Sequence, residues 1–291
     1  MENNKKHSLM WLAFPAVGLA IAVSYFFALR NDFDAEIGHF ATGSVPFLIL
    51  TVLSVLCCLC SVVLFFMFRS KYVVAAKPKQ TPLSIFGIVL CVIMCIGILI
   101  GETGILSGFK DVNIPAAISA ALTPGIAALL VLCYLSSQKD ENRTKNDLFA
   151  VVMGILAIIS VILKMFAEYF DFSKPINGHV KILTMVMQAF VLLFLVSETR
   201  LCFRLDSEKA TPGFYVLACA LASSVSFGLA LGGIVFSIFS RGAANPNLSV
   251  MRLALYAAIG IIATDRLLSV YGITAGRHAE KPVEEQAPSN D

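Results

Sequence analysis

Residues 148–170 read LFAVVMGILAIISVILKMFAEYF, with Lys164 and Glu168 as their only charges. A helix needs about 20 apolar residues to cross the roughly 30 Å of hydrocarbon in a bilayer, and this run is long enough. If the helix starts at Leu148, a rise of about 1.5 Å per residue puts Lys164 about 24 Å along it and Glu168 about 30 Å. Both charges therefore belong to the far end of a span. The lysine is within snorkelling reach of the surface and the glutamate lies at it. Their i, i+4 spacing allows a mutual ion pair, although Lys before Glu is the less favourable order. Two readings follow: a structural helix end, or an outer gate or binding site.

Seven more segments have the same character: Leu9–Leu29, Val45–Phe68, Leu83–Phe109, Pro115–Leu135, Val180–Ser197, Phe214–Phe239 and Val250–Tyr271. Composition agrees, with 58% apolar and only 14% charged residues and a mean hydropathy of +0.82. The expected fold class is all-α, a polytopic transmembrane bundle of eight spans in contact with lipid. The first span follows MENNKKHS, exceeds a signal-peptide core and has no A-x-A-like cleavage site after it, so it is kept as a helix.

Placing the N-terminus in the cytoplasm puts fifteen lysines and arginines inside and six outside, among the latter Arg30, Lys110, Lys181 and Arg252. The positive-inside rule then gives N-in and C-in, in a bacterial cytoplasmic membrane. The expected organisation is a cytoplasmic tail (1–8), spans one to four (9–136), a charged cytoplasmic linker (137–147), spans five to eight (148–271) and a disordered tail (272–291). A net charge of +3 spread over short loops gives no reason to expect nucleic acid.

Ordered matches suggest a tandem duplication. FDAEIGH (33–39) parallels FDFSKPINGH (170–179), and FRSKYVVAAKPKQTP (68–82) parallels FRLDSEKATP (203–212). Gly101, Phe109 and Pro115 follow in the same order as Gly232, Phe239 and Pro246. Thr-Pro is also a good helix start by itself, which accounts for one match but not for the set. Four spans per half would make the repeats parallel, related by an axis along the membrane normal. The small-residue faces Gly97, Gly101, Gly104, Gly108 and Gly228, Gly232 would then cross each other, though ordinary bundle packing explains them as well.

The remaining charges lie near span ends. Glu102 stands about 28 Å along span three, and Asp265 and Arg266 about 23 Å along span eight. Glu102 is expected to pair with Lys164. Asp265 needs a partner, with Arg200 and Arg204 as candidates for an inner charge cluster. Mild polar groups occupy the middle: Thr123 and Pro124 in a TPG break, Ser160, Gln188, and Ser223, Ser224 and Ser226. Pro124 frees carbonyls that need protein or water partners, and a broken helix lining a cavity is one way to bind a solute. The alternative is a packing kink with hydroxyls bonded to their own helices.

Seven cysteines lie in apolar runs and Cys202 in a predicted loop, so buried thiols are expected rather than disulfides. No metal or cofactor is expected, and His7, His39, His179 and His278 all fall outside the bilayer core. No catalytic constellation is recognisable, so an enzyme is not expected. FDAEIGHFATGSVPFLILTVL (33–53) and AEYFDFSKPINGHVKILTMVMQAF (167–190) resemble corresponding stretches of eight-helix membrane proteins of Gram-positive anaerobic bacteria, whose activity is unassigned. The resemblance implies a fold and no function. Two functions remain: a carrier or permease for a small neutral or weakly polar solute, with the mid-span polar residues along its path, or a non-transporting scaffold. The scaffold would hold a protein partner or a second copy through residues 69–79, 200–209 and the tail.

Overall fold

Apolar side chains on every face of a segment leave the backbone no water to bond, so the chain closes its hydrogen bonds within helices. A computed structural model describes residues 2–34, 37–68, 81–103, 114–138, 147–172, 175, 178–202, 212–240 and 249–268. The linker, the inner loops, Arg204, Gly104, Gly108 and the C-terminal tail lie outside the described residues.

The helices are α1 (Glu2–Phe27), α2 (Val45–Phe68), α3 (Pro82–Glu102), α4 (Ile114–Leu122), α5 (Pro124–Gln138), α6 (Asp147–Tyr169), α7 (His179–Cys202), α8 (Pro212–Leu221), α9 (Phe227–Phe239) and α10 (Val250–Arg266). Seven helical segments among the described residues are long and apolar enough to cross a membrane. The TPG motif breaks the fourth at Thr123, between α4 and α5. A π-helical turn, Ala222–Ser226, joins α8 to α9 within the seventh.

Two expectations change. Segment six was expected to stop at Ser197, but α7 continues through Glu198 and Arg200 to Cys202. Hydropathy ends a span at its first charge, whereas Glu198 is buried and bonded. Segment eight was expected to reach Tyr271, but α10 has only 17 residues, and residues from 269 onward lie outside the described set.

That short helix is the interior one. It packs against α3, α7, α8, α9 and the π turn, and its buried residues include Arg252, Asp265 and Arg266. It runs antiparallel to α3, since Gly87 faces Ile262 while Gly97 faces Met251. By contrast α2 presents Leu48, Val52, Val55, Leu59, Val62 and Phe66 outward, an apolar face of the kind that lipid covers.

The glycine faces do not cross each other as expected. Gly228 and Gly232 of α9 instead meet Gly18, Ile21, Ala22 and Tyr25 of α1. Two backbones approach so closely that a Cβ at Gly228 would lie 2.5 Å from the Gly18 carbonyl oxygen. Gly228→Ala is therefore expected to lower stability by about 3 kcal/mol, the upper end for overpacking. Gly101→Ala, with nothing within 4 Å of the added carbon, should be neutral or slightly stabilising. Thermal unfolding of the two variants in one detergent checks the pair; equal losses would remove the helix-contact explanation.

Between α1 and α2 a hairpin pairs Phe33 with Phe40 and Asp34 with His39. Gly38 turns it with a φ of 68°, a left-handed value that glycine adopts without strain. This marks the hairpin end of the bundle. The loop before α7 meets it there, Gly178 lying against the Gly38 carbonyl.

Candidate functional site

The interior helix α10 carries an arginine near each end, and each makes the same kind of bond. At the hairpin end Arg252 donates from Nε to Glu102 Oε2 at 2.6 Å, and Ser249 donates to Glu102 Oε1 at 2.7 Å. At the opposite end Arg266 donates from Nε to Glu198 Oε1 at 2.9 Å, while Tyr215 donates its hydroxyl to Oε2 at 2.6 Å. Both arginines are only 1% exposed. The carboxylates differ: the Glu102 side chain is 19% exposed and that of Glu198 fully buried.

These contacts replace two expected pairings. Glu102 bonds Arg252 rather than Lys164, and Lys164 takes Glu168 of its own helix at 2.9 Å. The i, i+4 pair forms because one turn of α6 brings the two side chains together, whereas Glu102 sits beside the first turn of α10. Asp265, assigned to Arg200 or Arg204, accepts instead from the Thr81 hydroxyl. Thr81 caps α3, so the antiparallel pair α3 and α10 is tied by polar bonds at both ends. Arg200 lies over the Phe214 ring, 5.8 Å from its centre.

The hydroxyl residues form separate, internally bonded groups. Thr123 donates to Ser119 O at 2.9 Å and lies 3.1 Å from Ser160 Oγ, while Ser119 and Ser160 each donate to the other's carbonyl. This knot fastens the break before Pro124 to α6. In the π turn Ser223 and Ser224 bond back to Ala220 O and Ser226 reaches Met187 O on α7. The packing alternative describes these groups well, and all five are fully buried.

Gln188 is different. It is fully buried, and neither its amide nitrogen nor its carbonyl oxygen has a hydrogen-bond partner. The Tyr256 hydroxyl and Arg252 Nη2 are likewise buried without a partner. Tyr256 lies one turn beyond Arg252 on α10, and its hydroxyl is flanked by the side chains of Arg252, Glu102 and Gln188. Cys95 of α3 faces Arg252 and donates its thiol to Thr123 O at 3.5 Å. Unmet donors and acceptors from α7 and α10 thus converge beside the least buried of the two ion pairs. Such groups each cost about 1–3 kcal/mol when nothing bonds them. Of the residues picked from sequence, Gln188 belongs here and Thr123 borders it; Arg252 and Tyr256 were missed.

At the hairpin end the two motif histidines touch. The Phe40 amide donates to His179 Nδ1 at 3.2 Å, so a neutral His179 carries its proton on Nε2, which lies 3.4 Å from His39 Nδ1. Phe47 stacks on His179 with ring centres 4.8 Å apart. No group of three or more potential metal ligands occurs among the described residues.

A helical bundle with seven segments apolar and long enough to span is compatible with an integral, multi-pass membrane protein. Comparison with known protein families, with curated proteins and with solved structures found no match.

Proposed function

We propose that the chain is an eight-span membrane carrier for a small neutral or weakly polar solute, with both termini cytoplasmic and the hairpin end outside. The supporting observation is the convergence of Arg252 Nη2, the Tyr256 hydroxyl and both ends of the Gln188 amide, none of them bonded within the protein. In a low-dielectric bundle, polar groups persist unpaired where something else is to be bound. The two arginine pairs on α10 bracket the path. They are fourteen residues apart, since 266 − 252 = 14, or about 21 Å. Glu102 with Arg252 serves as the outer gate, with Lys164 and Glu168 beside it at the same surface. Glu198 with Arg266 serves as the inner one. The neutral charge of each pair suits an uncharged solute.

The resemblance to eight-helix proteins of Gram-positive anaerobes supports a bacterial membrane as the setting. The tandem repeat has support at the outer end, where the equivalent residues His39 and His179 meet. The halves do not share one packing pattern, because span seven packs on span one while span five packs on spans four and six. A scaffold is the second reading, favoured by the saturated hydroxyls of Thr123, Ser160, Ser223, Ser224 and Ser226.

Osmotic swelling of liposomes holding the full chain separates the two. The carrier reading expects faster entry of at least one solute in a panel of glycerol, urea, acetamide and erythritol than in protein-free liposomes. Rates equal to the empty liposomes for the whole panel would leave the scaffold.

A further inference from the structure

The carrier reading leaves the solute's chemistry open, and the inference here rests on that reading. We propose that the solute is a small neutral amide, a simple carboxamide or urea, held by Gln188, Tyr256 and Arg252.

The charge balance restricts the choice first. The positive charge of Arg252 is met at Nε by Glu102 at 2.6 Å. A carboxylate solute would bring a second negative charge into the bundle, and an ammonium would set a positive charge beside the guanidinium. Either leaves one buried charge in excess, which is costly where water is excluded. A neutral solute adds none.

The donors and acceptors then select among neutral molecules. Gln188 offers an N–H donor and a carbonyl acceptor side by side, both unoccupied. The complement is a group with a carbonyl and an N–H in the same relation, so that two hydrogen bonds form in parallel; a primary amide or urea has this arrangement. A hydroxyl provides one donor on one rotor and cannot meet both ends of the amide at once. The solute's carbonyl keeps a second lone pair, and Arg252 Nη2 and the Tyr256 hydroxyl are the unbonded donors facing it. Every orphaned group at the site is then satisfied by one molecule, with no proton or charge moved.

The test uses the full chain in liposomes, with acetamide and urea as amide probes and glycerol and acetate as the comparisons. Entry of acetamide and urea at least about tenfold faster than glycerol is expected, since a site built to bond both polar ends rejects an analogue that cannot. Gln188→Leu should abolish that preference, with amide entry falling about tenfold or more. Its thermal midpoint should not fall, because the substitution removes a buried group that lacked partners; this separates lost recognition from lost folding. Equal entry of glycerol and acetamide, both reduced by Arg252→Met, would overturn the amide assignment and leave the carrier standing. A rise in water permeability alone would mean that these groups hold water, and would also overturn it. No solute entry above empty liposomes would overturn the carrier together with the amide.

Discussion

Replacing Glu198 with alanine is expected to lower the stability of the bundle by about 3–5 kcal/mol, the range for removing one partner of a buried ion pair. Glu198 accepts from Arg266 and from Tyr215 and is itself fully buried. Its loss leaves a guanidinium on the interior helix without its carboxylate, and it unfastens α7 from α8 and α10 together. The cost arises from the stranded charge, so a second change should recover much of it. Arg266→Met in the Glu198→Ala background is expected to restore at least about 2 kcal/mol, measured as a coupling energy in a double-mutant cycle. Strict additivity of the two losses would show that the pair contributes nothing as a pair.

The same chemistry at the other end of α10 should behave differently. Arg252→Met frees Glu102, but that side chain is 19% exposed and keeps the Ser249 hydroxyl at 2.7 Å. The stability loss should therefore be only about 1–2 kcal/mol. Transport should suffer far more, because Arg252 supplies the unbonded Nη2 at the solute site. An approximately 100-fold fall in solute entry is expected, equivalent to about 2.7 kcal/mol of lost binding. Arg252→Lys should lie between, since a single ammonium cannot hold Glu102 in the same fork and also present a second planar donor. Solute entry within about twofold of the native rate for Arg252→Met would make this arginine purely structural. The two ends of one helix thus separate stability from function by the exposure of the carboxylate each arginine meets.

Local features were legible because they follow from periodicity and nearest neighbours. The apolar runs marked the spanning helices, Pro124 marked the break at Thr123, and the spacing of Lys164 and Glu168 gave their pair. The site was less legible because its partners are remote in the chain: Glu102 and Arg252 are 150 residues apart. A charge at the end of an apolar run is counted as a loop charge, which is how Arg252 entered the outer tally and Glu198 fell beyond the expected end of its span. One signal was available. Arg252 and Arg266 are fourteen residues apart, close to four turns at 3.6 residues each, so they lie near the same side of one helix. Two arginines on one side of a short membrane helix require carboxylates from its neighbours. Which carboxylates, and that Gln188 stays unbonded, depended on the packing of α3 and α7 against α10.

Cys95 offers a direct view of the central claim, because it is a native thiol beside Arg252 and is 2% exposed. The measurement is its modification by a small, charged, membrane-impermeant thiol reagent applied to each side of sealed membranes, with sites identified by mass spectrometry. A carrier that opens to water at this site predicts reaction of Cys95 from the side opposite the N-terminus, slowed by acetamide, while the fully buried Cys91 one turn away stays unmodified. Silence at Cys95, in membranes where a cysteine introduced at the 45% exposed Val250 reacts, would contradict the account and mark the interior of this bundle as dry.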